Sequence, residues 1–107
     1  MATLRQMSPE QKETFLLQAL QKMMIGELTQ GQLLKRFRKE LLRQNQSQFA
    51  SLVKISRRTL SDIENDRGDM TIETLNRAFG LFGLKLGLVP KSHAKASRLL
   101  TMGASAK

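Results

Sequence analysis

The sequence predicts an all-α fold, a small helical bundle to which one short strand is added near the C-terminus. Residues 46–64 contain two short apolar stripes of helical spacing with a brief gap between them, the pattern of two helices joined by a sharp turn. Further helices are predicted where Ser8, Thr29 and Thr71 precede stretches of the same spacing, because these residues favour helix N-termini. From residue 84 the apolar residues alternate, which predicts the strand.

Composition limits the classes of protein to be considered. The chain has 107 residues, a net charge of +9 and no cysteine, so we expect one small domain with appendages and no disulfide framework or thiolate metal site. No apolar run reaches the roughly 18 residues that span a bilayer, and the N-terminus lacks the form of a signal peptide. These features predict a cytoplasmic protein that does not enter a membrane.

The positive charge is unevenly distributed along the chain. Residues 27–58 carry eight basic and two acidic side chains, whereas residues 59–70 carry one basic and four acidic side chains. A basic region of this kind suits nucleic-acid phosphates, although a solvated basic surface is an equally good interpretation of the charge alone. The acidic group is expected to face away from any nucleic acid; it consists of Asp62, Glu64, Asp66 and Asp69.

Residues 1–28 are predicted to form an N-terminal helical extension. Ser8 is followed by proline at the first helical position and by glutamine three residues after the cap, a combination that predicts a helix start. The helix is expected to end near Met24, ahead of Gly26. It is either a strut packed against the domain or a helix that binds a partner or extends a dimer.

The second helix is predicted from Thr29 to about Gln44. Threonine with glutamine three residues later repeats the capping pattern. The apolar face of this helix holds Leu33, Leu34, Phe37, Leu41 and Leu42. Most of the remaining positions are basic and are assigned to its outer face; they are Lys35, Arg36, Arg38, Lys39 and Arg43.

The two helices of residues 46–64 are defined by their caps and by their apolar positions. Asn45 caps the first helix, whose predicted core residues are Phe49, Ala50, Leu52 and Val53. Ala50 is small enough for the two helix backbones to approach. Ser56 caps the second helix, in which Leu60 and Ile63 point to the core. The outward-facing side chains are Ser56, Arg57, Arg58, Thr59, Ser61 and Asp62. An arginine in the first turn of such a helix can pair with both acceptor atoms of a guanine edge.

The C-terminal third is predicted to contain a helix, a strand and a tail. The helix extends from Thr71 to about Phe82 and buries Ile72, Leu75, Ala78, Phe79 and Phe82. Residues 84–90 form the strand, with Leu84, Leu86 and Leu88 on one face. A lone strand leaves its backbone unpaired, so we expect it to pair with the same strand of a second copy in a symmetric homodimer. A helix is the alternative here, disfavoured by Gly83, Gly87 and Pro90. Residues 91–107, basic and rich in small side chains, are predicted to be a disordered tail.

Residues Gln46, Phe49–Ala50, 55–61 and 63–65 resemble the Cro/C1-type (XRE) helix-turn-helix family over residues 32–84. The family most often has glycine where this chain has Lys54. The resemblance implies a lambda-repressor-like helix-turn-helix bundle over residues 29–83 that binds palindromic double-stranded operator DNA. It assigns base edges to Ser56, Arg57, Arg58, Ser61 and Asp62. It assigns phosphates to Gln46, Thr59, Arg43, Lys39 and Arg36.

The terminal strand narrows the resemblance. A helix-turn-helix domain that ends in a strand such as residues 84–90 is similar to the HipB-type antitoxins. This similarity implies a cytoplasmic, nucleoid-associated homodimer that represses its own operon and neutralises a HipA-type serine/threonine kinase toxin. The alternative is a phage- or plasmid-type XRE repressor that has no toxin partner. Non-specific architectural DNA binding is a weaker option, because the second helix is suited to sequence reading.

Catalysis is not expected. His93 is the only histidine, and it lies in the predicted tail. No cluster of histidine and acidic residues has the spacing of a metal site, and Ser56 is already assigned to a helix cap. Arg57 and Arg58 could bind a phosphate-bearing substrate, but no catalytic residue lies near them in the sequence. We therefore predict a binding protein without a cofactor.

Overall fold

Six α-helices follow one another in the computed structural model, which describes residues 7–105. They are α1 (Pro9–Met24), α2 (Gln30–Arg36), α3 (Gln46–Val53), α4 (Arg57–Glu64), α5 (Ile72–Gly80) and α6 (His93–Ser105). A π-helical segment, Phe37–Leu42, continues α2 without a break. The predicted all-α class is confirmed for the described residues. None of their helices combines the length and the apolar character needed to cross a membrane.

The predicted helix starts are all present, and each has a side-chain cap. Ser8, Thr29 and Asn45 accept hydrogen bonds from the backbone amides three residues later, and a glutamine side chain at each of those positions accepts one in return. Ser56 and Thr71 accept from the amides of Thr59 and Thr74. Because a cap of this kind stabilises a helix by about 1 kcal/mol, these short helices begin at defined residues.

The core lies where α2, its π-helical continuation, α3 and α4 meet. Its most deeply buried side chains are Leu33, Leu34, Phe37, Phe49 and Leu60. The ring of Phe82 packs against both phenylalanines of this group, with centroid distances of 5.0 Å to Phe37 and 5.9 Å to Phe49. Ala50 is 3% exposed, as expected for the small residue at the crossing of two helices.

Two predicted core residues are instead exposed. Leu52 is 50% exposed and Ile72 is 66% exposed. On the two-turn helix α3, the buried face is formed by Phe49, Ala50 and Val53, and Leu52 lies about 100° from its centre at 3.6 residues per turn. Ile72 is the first residue of α5 and precedes the turns that reach the core. Both predictions were therefore wrong.

Lys54 forms the turn between α3 and α4 in a left-handed conformation, with φ 62° and ψ 47°. The turn is closed by the amide of Ile55, which donates to the carbonyl of Ala50 at 3.0 Å. From α5, Arg77 donates to the carbonyl of Lys54 at 3.3 Å. The position thus needs the backbone conformation that favours glycine, and lysine adopts it at a cost of about 1–2 kcal/mol.

Replacing Lys54 with glycine is expected to raise the free energy of unfolding by about 0.5–1 kcal/mol, because relief of the left-handed strain exceeds the extra entropy that glycine gives the unfolded chain. The matched control is Lys54→Ala, which removes the same charge and keeps the strain. Urea unfolding of the three proteins measures the difference. A glycine variant no more stable than the alanine variant would show that the turn is not strained.

Residues 84–90 form no strand in the single chain. Gly83 has φ 77° and ends the turn that follows α5. Beyond it, the amide of Leu86 donates to the Asn76 side chain at 2.9 Å, and residues 85–90 make no backbone–backbone hydrogen bond with any other described residue. Leu84 and Leu86 are half-buried and Leu88 is fully exposed. The alternative of a helix at this position is not observed either, and the pairing of this segment across a dimer stays a prediction.

The prediction of a disordered tail over residues 91–107 was wrong for the described residues, because the structure has helix α6 over His93–Ser105, and residues 106–107 lie outside the described residues. Ser92 caps it by accepting from the amide of Lys95 at 3.2 Å. Ala96 is 1% exposed, and α6 packs on α1. The His93 ring occupies the space above Gly26, where a Cβ atom would lie 2.4 Å from its Nδ1. Alanine and leucine favour a helix, and composition alone could not show that α1 offers it a docking surface.

Candidate nucleic-acid interface

The second helix of the predicted pair carries a shallow concave surface. It is lined by Gln46, Arg57, Arg58, Ser61, Asp62 and Arg67, and we call it the α4 surface. Gln46 is the first residue of α3, the next four lie on α4, and the last follows α4 in the loop. The fold therefore brings together five residues that the sequence assigned to DNA and adds one that it did not.

Arg57 and Arg58 are the first two residues of α4, and both are exposed. Neither has a hydrogen-bond or ion-pair partner among the described residues. Ser61 lies one turn further along the same surface and is half-buried. Two free guanidinium groups at the start of a helix can each donate a pair of hydrogen bonds to O6 and N7 of guanine.

The side chains of Ser56 and Thr59 are hydrogen-bonded at the N-terminus of α4. The hydroxyl of Ser56 accepts from the amide of Thr59 at 3.0 Å and donates to its side-chain oxygen at 2.8 Å. Ser56 is exposed and Thr59 is half-buried. The two hydroxyls hold each other in place at the end of α4 that carries the arginines.

Behind the α4 surface, Arg38 and Glu64 form a buried ion pair. Arg38 donates through Nε at 2.6 Å and through Nη2 at 2.9 Å to the two carboxylate oxygens. Its Nη1 donates to the carbonyl of Gln44 at 2.8 Å. Gln46 completes the group by donating to Glu64 at 3.0 Å. The pair ties the π-helical segment to the last residue of α4 and to the first residue of α3.

The assignment of Arg38 to the outer face of its helix was wrong. It follows Leu34 by four residues and precedes Leu41 by three, so it lies on the apolar stripe. Glu64 likewise follows Leu60 by four. A basic and an acidic residue at core positions of two different helices is the signal that predicts such a pair, because a buried charge needs a partner.

The acidic group of residues 62–69 does not form one exposed shoulder. Glu64 is 5% exposed and paired with Arg38. Asp66 accepts from the Thr29 hydroxyl at 2.6 Å and from the Gly31 amide at 2.9 Å. The Asp62 carboxylate lies 3.7 Å from Arg67. The prediction that the group faces away from DNA as a unit is therefore corrected.

Arg67 was not singled out from the sequence. Its side chain is 64% exposed, and its amide donates to the carbonyl of Asp62 at 2.8 Å. The left-handed Asp66, with φ 56°, turns the chain so that Arg67 lies beside α4. A third guanidinium thus borders the α4 surface.

The exposed basic residues of α2 and of its π-helical continuation lie in a different part of the molecule. Arg36 and Lys39 border a separate depression, whose other lining residues are Leu28, Gln32, Lys35 and Glu40. Arg43, with φ 54°, ends the π-helical segment two residues before the cap of α3. The structure thus places Arg43 near the start of α3, whereas it does not bring Arg36 and Lys39 onto the α4 surface.

Comparison with known proteins agrees with this geometry. A family model described as Helix-turn-helix matches residues 34–89, just over half of the chain. The match includes α3, α4 and α5 and ends at residue 89, within the segment 84–90. A search of curated proteins and a search of solved structures found no match. The matched helices are those that build the α4 surface. The chain belongs to the Cro/C1-type (XRE) helix-turn-helix family of DNA-binding regulators.

Proposed function

We propose that the protein is a transcriptional repressor that reads a palindromic operator as a homodimer and acts on its own operon. The observation that carries this proposal is the pair of exposed arginines on the first turn of α4, neither of which has a partner within residues 7–105. An α-helix fits the major groove of B-DNA, where arginine is the commonest reader of guanine. Ser61 and Asp62 lie on the same surface, and we assign them to contacts with neighbouring bases.

Phosphate contacts are proposed for residues that lie beside α4. Gln46 and Arg43 lie near the start of α3, and the positive end of a helix dipole favours a phosphate there. Arg67 supplies a further cation in the loop that follows the C-terminal end of α4. Contacts of this kind fix the position of a protein on the duplex, and base contacts give it sequence preference.

The test is a footprint on the DNA upstream of the protein's own gene at roughly 150 mM salt, with scrambled DNA as competitor, because charge alone produces non-specific binding. We expect protection of a two-fold symmetric site whose half-sites lie about one helical turn, or a multiple of one, apart. Uniform protection, or none, contradicts a sequence-reading dimer.

Residues 84–90 are the proposed dimer contact. Their backbone has no ladder partner among the residues that the structure describes, and Leu88 is fully exposed. Antiparallel pairing of two copies would satisfy these groups and bury the leucine. Sedimentation equilibrium at micromolar concentration should give the mass of two chains. A monomer mass together with a footprint of a single half-site would exclude this arrangement.

The role of an antitoxin is the finer part of the proposal, and it rests on the similarity of the domain and its C-terminal segment to HipB-type proteins. The proposed partner is a HipA-type serine/threonine kinase toxin. Residues 84–90 lie outside the α4 surface, so DNA and the kinase can be bound by different residues of this protein. A gene for a kinase-like protein directly downstream would support this role, and the decisive experiment is co-expression of that kinase with a variant changed at Arg57 and Arg58. Protection of cells by that variant supports separate roles. Failure of the unaltered protein to protect favours a phage- or plasmid-type repressor without a toxin partner.

A further inference from the structure

The N-terminal turn of α2 contacts the C-terminal turn of α4 directly through their backbones. Gly31, the second residue of α2, is buried. A Cβ atom at this position would lie 2.3 Å from the carbonyl oxygen of Ile63 and 2.8 Å from that of Glu64. Backbone atoms, rather than flexible side-chain ends, would be in the way. The two helices could not keep their present positions if residue 31 had a side chain.

Asp66 closes the same contact with its carboxylate. It accepts from the amide of Gly31 at 2.9 Å and from the hydroxyl of Thr29 at 2.6 Å. Oδ1 of Asp66 also lies 2.8 Å from the position of a Cβ atom on Gly31. A negative group at the start of a helix is favoured by the helix dipole, and charge-assisted hydrogen bonds are stronger than neutral ones.

This contact lies at the C-terminal end of α4, opposite the end that carries Arg57 and Arg58. At that end the helix is held by Gly31 and Asp66, and also by the pair of Glu64 with Arg38. All of these anchors belong to α2, its π-helical continuation or the loop after α4. Because side chains on a rigid helix read bases only from a fixed position, the axis of α4 determines which bases the arginines reach.

We propose that Gly31 and Asp66 are positioning residues that fix the axis of α4 and thereby determine the sequence preference of the protein. We call them the α2–α4 clamp. This inference rests on the proposed function, since it concerns how well the α4 surface distinguishes one DNA sequence from another. Neither clamp residue lines the α4 surface, so Gly31 acts on the bases only through the position of α4. Asp66 also places Arg67, whose proposed phosphate contact affects the affinity for every sequence alike and so leaves the sequence preference to the position of α4.

The test compares Gly31→Ala with Gly80→Ala. Gly80 is the last residue of α5, and a Cβ atom there would meet nothing within 4 Å. Affinities are measured for a duplex that carries the protected upstream site and for a scrambled duplex, at a temperature at which circular dichroism shows each variant folded. Gly31→Ala should reduce the ratio of the two affinities by about tenfold, the effect of one mismatched base pair. The salt dependence of binding to the scrambled duplex should not change, because the phosphate contacts remain.

Asp66→Asn provides a second variant for the case in which Gly31→Ala does not fold. Asparagine tolerates a left-handed conformation and keeps one oxygen acceptor, but it loses the charge. It should reduce the affinity ratio by about threefold, because its hydrogen bonds to α2 are no longer charge-assisted.

A folded Gly31→Ala variant with the wild-type affinity ratio would overturn the inference, as would an equal loss in Gly80→Ala. If Gly31→Ala does not fold, an unchanged ratio in Asp66→Asn overturns it. The wild-type protein is measured first, and a wild-type protein that binds both duplexes equally overturns the proposed function itself, and the role of the clamp with it. The two failures are therefore distinguishable.

Discussion

Replacing Arg38 with alanine is expected to lower the free energy of unfolding by about 3–5 kcal/mol, because Glu64 would remain buried without its charge partner. The side chains of this pair are only 7% and 2% exposed. After the change, the hydrogen bond from Gln46 is the one that would remain to the Glu64 carboxylate from the described residues. Since small domains have stabilities of roughly 5–15 kcal/mol, a large part of the native stability would be lost. Urea unfolding followed by circular dichroism measures the change.

The control for Arg38 is an ion pair of the same chemistry that lies in solvent. Glu73 and Arg77 are four residues apart on α5, and their side chains are 78% and 52% exposed. Glu73→Ala should cost about 0.5 kcal/mol or less. Combining Arg38→Met with Glu64→Leu removes both charges and should recover most of the loss. Equal costs for Arg38→Ala and Glu73→Ala would mean that burial does not set the strength of the first pair.

The helix starts could be predicted because their determinants are local. Asn45 accepts from an amide three residues later, and the glutamine at that position accepts from Asn45 in return. Such a rule needs no knowledge of the rest of the chain. The left-handed conformation at Lys54 could be expected for the same reason, since a helix that ends at Val53, only three residues before the next cap at Ser56, needs a sharp turn.

The buried ion pair of Arg38 and Glu64 could not be predicted from local sequence rules. Arg38 and Glu64 are separated by 26 positions, and a charged residue on an apolar stripe is more often a residue that reaches solvent at its edge. Only the approach of α2 to α4 makes the pair possible, and Gly31 permits that approach. The same limitation applies to α6, whose stability depends on the docking of His93 against Gly26 and of Ala96 on the domain.

The helical residues of the α4 surface could be predicted from the sequence, whereas its loop residue, Arg67, could not. Arg57, Arg58 and Ser61 follow from helical spacing once the cap is placed at Ser56. Arg67 follows from the left-handed Asp66, which the sequence does not specify because aspartate has no strong preference for that conformation. The hydrogen bonds of Asp66 to the start of α2 select it, so a long-range contact places the third arginine.

Changing Arg57 or Arg58 to alanine is expected to weaken operator binding by about 1–3 kcal/mol and to relax the base preference at one position in each half-site. Both side chains are exposed and without a partner among the described residues. Their loss should therefore leave the free energy of unfolding almost unchanged. Binding selection from a pool of operator variants, at one fixed salt concentration, measures both the affinity and the base preference.

The control for these arginines is Arg98→Ala, which removes the same charge from α6, a helix that packs on α1 rather than on α4. It should leave the base preference intact, because charge on its own attracts every sequence equally. Retention of full discrimination by both α4 variants would contradict their assignment as base readers. A uniform loss of affinity over all sequences, with a smaller salt dependence, would instead reassign them to phosphates. The way in which the loss of affinity varies with DNA sequence, more than its size, thus decides whether the first turn of α4 enters the major groove or lies along its edge.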